Sequence, residues 1–187
     1  MGTTGARESL RQHWNHSCLG YAWTLGGSPP VWGRERYFAV SGRPDEYAAL
    51  VRQWTSRGYA GERDLFLCRA VLHTLSCNRT DDAVALSAAV KEALLQDGGG
   101  NAAAVESPLC HFTSFVVELC QARQKAGAPS REMVAAFLKL QEVYDRSINR
   151  DPHLDEMLSR IGHVQFNIEP PKAEGLMGMI GQLMGGM

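Results

Sequence analysis

The sequence predicts an all-α protein, an α-solenoid of stacked antiparallel helix pairs of the TPR-like kind. Apolar residues recur at helical spacing in six segments that begin near residues 44, 60, 81, 107, 130 and 151, and short turns separate the segments. The start of each helix and the start of the next helix but one are therefore 37 to 49 residues apart. That interval is close to the unit length of helical-hairpin repeats, about 34–47 residues. A compact bundle of the same helices is the alternative.

The first two helices are predicted from their ends and their apolar sides. The first begins near Pro44, whose fixed φ suits a first turn, and Gly58 ends it. The second covers about 60–77 and has one apolar and one polar side. The larger side chains of this pair that we expect inside the protein are Trp54, Tyr59, Phe66 and Leu72.

The other four helices are predicted from capping residues. Thr80 is the expected N-cap of a helix over 81–96, which the connector 97–101 terminates. Ser107 followed by proline, Ser130, and Asp151 followed by proline are the expected caps of the last three helices. The residues of this half that we expect to be structural are Phe112, Phe115, Phe137, Tyr144, Asp151 and Pro152.

Three regions are expected along the chain. Residues 1–33 are rich in Gly and Ser and form an irregular arm, or else an incorrect gene-model start; 34–168 form the helical-repeat domain. Residues 169–187 are a flexible tail, because interior glycines each cost a helix about 1 kcal/mol. Just before the tail, Val164, Phe166 and Ile168 alternate with polar residues, which predicts a short extended segment.

Composition argues against several classes of function. With 19 basic and 20 acidic residues the net charge is −1, which does not favour nucleic acid or a membrane surface as a partner. No apolar stretch is long enough for a membrane span. The five cysteines lack CxxC spacing and no secretory leader pattern precedes them, so we expect a cytosolic protein.

No group of residues predicts catalysis or a cofactor. His13, His16 and Cys18 have the spacing of metal ligands but lack an obvious fourth ligand. Cys110 and His111 are neighbours on a helix, about 100° apart, and do not face each other as a dyad would. We therefore expect a protein that is not an enzyme, with an enzyme built on the His/Cys cluster as the least favoured hypothesis.

Three segments carry a resemblance to a known family. They are "RERYFAVSGRPDEYAALVRQWTSRGYAGERDLFLCRAVLHTLSC" (34–77), "ESPLCHFTSFVVEL" (106–119) and "YDRSINRDPHLDEMLSRIGHVQFNIEPP" (144–171). In order and spacing they resemble the C-terminal half of the Golgi-to-ER traffic protein four family, over about residues 32–187. The Arg-Asp-Pro triplet at 150–152 and the Ile-Gly pair at 161–162 are the most specific matches.

The resemblance implies an α-solenoid scaffold without catalytic activity. Such scaffolds act in the cytosolic pathway that delivers tail-anchored membrane proteins to the endoplasmic reticulum. Their C-terminal half holds a ubiquitin-like adaptor and, in animals, a BAG-family holdase; their N-terminal half docks the targeting ATPase. Residues 1–31 do not resemble the helices that stand there in the family, so we do not expect ATPase docking. The chain is then either a truncated or mispredicted product or a divergent form.

Two hypotheses remain for the C-terminal segment. In the first, it receives a partner, through Ile161, Val164, Phe166, Ile168, Leu176 and Ile180. In the second, Phe166 and Ile168 fold back to cap the last helix pair, as the ends of repeat proteins require. A general helical-repeat interaction subunit of another cytosolic assembly is the alternative function.

Overall fold

The computed structural model describes residues 37–96 and 101–169, and these residues form helices and turns. Residues 37–41 are helical and turn at Gly42 into the first long helix. The elements are α1 (Pro44–Arg57), a 3-10 helix (Ala60–Glu62), α2 (Arg63–Ser76), α3 (Thr80–Gln96), α4 (Asn101–Val105), α5 (Pro108–Ala126), α6 (Arg131–Ile148) and α7 (Pro152–Phe166). The predicted all-α class is confirmed, and no strand occurs among the described residues.

The central element is α2, which contacts α1, α3, α5 and α7. Ten of its 14 residues are buried, including Cys68 and Leu72. Around it, α3 and α5 run antiparallel, because Asp81 at the start of α3 meets Gln124 near the end of α5. Helix α2 is therefore the centre of the described domain, and the C-terminal helix α7 packs directly against it.

Three of the four predicted caps are confirmed. The side chains of Ser107 and Ser130 accept hydrogen bonds from the backbone N–H groups of the residues three positions on. The side chain of Asp151 caps α7 by accepting from the backbone N–H two positions on. The prediction for Thr80 is wrong, because α3 begins at Thr80 itself.

Residues 101–105, at the end of the expected connector, form the short helix α4. The glycines lie before this helix, whereas the alanines within it are the strongest helix formers. The helix therefore starts as soon as the glycine run ends.

Two aromatic residues expected in the interior lie at the surface. Tyr59 is 80% exposed and Phe115 is 45% exposed. Tyr59 stands in the turn between α1 and the 3-10 helix, where no helix covers it. The other expected interior residues are buried (Leu72, Phe112, Phe137) or half-buried (Trp54, Phe66, Tyr144).

Candidate functional site

The candidate site is the C-terminal end of the domain, and it begins at the cap of α7. Asp151 is buried, and its Oδ1 accepts a hydrogen bond from the backbone N–H of His153 at 3.1 Å. Its Oδ2 accepts a hydrogen bond from Nε of Arg69 on α2. Burial by itself would raise the pKa of Asp151, but the hydrogen bonds from Arg69 and His153 and the charge of Arg69 outweigh it and leave that pKa below its ordinary value.

The residue before the cap makes a second ion pair with the same helix. Nη1 of Arg150 lies 2.6 Å from Oδ2 of Asp64 on α2, and Nη2 lies 3.3 Å from Oδ1. Nη2 also donates to the carbonyl oxygen of Gly61 at 2.8 Å. The hydrogen bond to Asp64 raises the pKa of Arg150. Arg150 and Asp151, which are adjacent in the chain and opposite in charge, thus each form an ion pair with a residue of α2.

Helix α7 continues through the segment expected to be extended. The strand prediction for 164–168 is wrong, because helix continues to Phe166. Asn167 then adopts a left-handed conformation with φ of 55°, which asparagine tolerates better than most residues. The N–H of Ile168 donates to the carbonyl oxygen of Gly162 at 3.0 Å, so the chain turns back on α7.

The side chains of this turn fold inward. The rings of Phe166 and Phe137 stack with centroids 4.7 Å apart. A Cβ added at Gly162 would lie 3.5 Å from Cδ1 of Ile168 and 3.4 Å from Cε1 of Phe137, so these two side chains cover the glycine. This arrangement is the one expected by the capping hypothesis.

The position of Gln165 shows why the alternating pattern over 164–168 gave a wrong prediction. Gln165 is one of the polar residues that alternate with Val164, Phe166 and Ile168, so a strand would expose it, but in the helix it is fully buried. Its Nε2 donates to Oδ1 of Asn78 at 3.1 Å, and the carbonyl oxygen of Leu75 and Oγ1 of Thr80 are each 3.4 Å away. Acceptors at the turn between α2 and α3 therefore satisfy the amide nitrogen of Gln165, whereas its buried Oε1 has no hydrogen-bond partner among the described residues.

The expected partner-binding residues divide into three groups. Ile161 and Phe166 are buried in the domain, so their side chains are not accessible to a partner in this conformation. Val164 and Ile168 are half-buried and reach the surface. Leu176 and Ile180 lie outside the described residues.

Three buried cysteines of the described residues are not poised as nucleophiles. Burial raises the pKa of Cys68 to about 12, of Cys110 to about 11 and of Cys120 to about 12, so these thiols stay protonated near neutral pH. Cys110 is buried whereas its neighbour His111 is exposed beside Glu106.

Within the same residues, no cluster of three or more His, Cys, Asp or Glu side chains could hold a metal ion. His13, His16 and Cys18 lie outside them. No described helix combines the length and the hydropathy that a membrane crossing requires.

The succession of packed helices over the described residues makes this a helical-repeat fold. A crystal structure of C. therm. Get4 superposes with a TM-score of 0.64 at 22% identity, covering 84% of this chain and 52% of that one. Residues 31–184 match the family model described as Golgi to ER traffic protein 4. The chain therefore belongs to the Golgi to ER traffic protein 4 family, and the predicted family and α-solenoid fold are confirmed.

Individual relatives are moderately similar to the chain. Protein GET4 of Arabidopsis thaliana is 30% identical over 151 residues, which are 80% of this chain and 43% of that protein. The Golgi to ER traffic protein 4 homolog of Oryzias latipes is 32% identical over 137 residues, 72% of this chain and 38% of that one. This chain thus matches less than half the length of these two relatives.

Proposed function

We propose that this chain is a non-enzymatic scaffold in the cytosolic pathway that hands tail-anchored membrane proteins to the endoplasmic reticulum. The observation that carries the proposal is the family match over residues 31–184. The protonated, buried thiols of the described residues agree with a scaffold rather than a cysteine enzyme. In this role the helices supply a rigid binding surface, and any catalytic step is carried out by other proteins of the pathway.

The proposed partner is a ubiquitin-like adaptor, and its proposed contact is the end of α7 together with the tail. Val164 and Ile168 would contribute the part of this contact that lies on the domain, because they are half-buried and reach solvent. Leu176 and Ile180 would contribute the remainder. Ile161 and Phe166 would support the contact from inside the domain, where they are buried.

The anchoring of α7 supports this assignment. A partner that binds one helix needs that helix held at a fixed position, since ordering a mobile segment on binding costs free energy. The pairs Arg69–Asp151 and Asp64–Arg150 hold the start of α7 against the central helix. The Phe137–Phe166 stack holds its end.

In animals a BAG-family holdase would use the same half of the scaffold.

The first experiment measures adaptor binding by domain variants of the whole chain. Val164→Asp and Ile168→Asp should each weaken binding by at least about tenfold, measured calorimetrically with the purified adaptor. His163→Asp is the matched control, because it adds the same charge at an exposed neighbouring position of α7. Circular dichroism of each variant separates a lost contact from lost folding.

The second experiment tests the tail. The double variant Leu176→Asp/Ile180→Asp should weaken adaptor binding, whereas Ala173→Asp/Gln182→Asp, which changes the charge equally, should leave it unchanged. Wild-type affinity in both the domain and the tail variants would reject this contact. A wild-type chain that fails to bind the adaptor would reject the proposed function itself.

A further inference from the structure

We draw no further inference here: the strongest candidate, the partly exposed apolar patch where Phe115 of α5 and Tyr144 of α6 lie with ring centroids 6.4 Å apart, carries nothing because nothing in the structure shows what covers it.

Discussion

Arg69 of α2 donates a hydrogen bond from its Nε to the buried carboxylate of Asp151, which lies 82 residues further along the chain. The same carboxylate caps α7, so one side chain both starts a helix and fastens it to the centre of the domain. Asp151 could be recognised as a cap from the sequence, but its ionic partner could not.

Replacing Arg69 with methionine should lower the free energy of unfolding by about 3 kcal/mol. The variant keeps most of the side-chain volume but leaves the buried carboxylate of Asp151 without its cation, and breaking a buried pair costs about 3–5 kcal/mol. The lower end applies because the Arg69 side chain is 17% exposed. Urea unfolding measures the change. Lys139→Met is the control, since the exposed Lys139–Glu142 pair should contribute less than about 1 kcal/mol. Equal losses in both variants would contradict the prediction.

The pair should also make stability depend on pH. Because the pKa of Asp151 is lower in the folded chain, its stabilising contribution is present above the unfolded pKa of about 3.9 and is lost as the pH falls toward the folded value. Asp151→Asn retains a capping side chain but does not titrate. Its unfolding free energy should therefore fall less steeply than that of the wild type between about pH 5 and pH 2. Parallel curves for the two proteins would show that Asp151 contributes nothing to this dependence.

Two glycines should respond oppositely to alanine. At Gly162 a Cβ would meet Phe137 and Ile168 at 3.4 Å or more, which is ordinary contact, so the better helix propensity of alanine should stabilise the protein by up to about 1 kcal/mol. At Gly58 a Cβ would lie 2.6 Å from Cε2 of Phe66, so the ring must move, at a cost of about 1–3 kcal/mol. Thermal unfolding of the two variants measures both changes. A lower stability of Gly162→Ala would contradict the prediction and would mean that Phe137 and Ile168 leave no room for a Cβ there.

Removal of the aromatic stack should be among the most destabilising single changes in the C-terminal half. Phe137→Ala deletes a fully buried ring and should cost about 3–5 kcal/mol in unfolding free energy. Tyr59→Ala, at a position 80% exposed, should change stability by no more than about 0.5 kcal/mol. Denaturant unfolding of both variants gives the comparison. If Phe137→Ala were equally mild, the end of α7 would not depend on this stack.

Local signals in the sequence predicted most of the helices because caps, prolines and apolar spacing act within one or two turns. Ser107 and Ser130 begin helices where their side chains can bond to N–H groups three residues ahead. The same reasoning failed at 164–168, because alternation over only five residues is too short a pattern to decide between strand and helix. The buried residues at this end of α7 instead recur at helical spacing: Ile161, Gly162, Gln165 and Phe166. The prediction that Tyr59 lies inside was wrong for a related reason: the hydrophobicity of a residue does not reveal whether other elements cover the turn in which it stands.

By itself, the sequence determined the all-α class, the caps at Ser107, Ser130 and Asp151, and the family, because those depend on residues near one another or on their order. Only the tertiary structure decided that α7 is fastened to α2 by two opposed ion pairs. It also decided that Phe166 and Gln165 lie inside the domain. Their partners are distant in the chain: Phe137 precedes Phe166 by 29 positions, and Gln165 reaches back 87 positions to Asn78. Local periodicity carries no information about which distant side chains meet, because packing of the whole domain sets that choice.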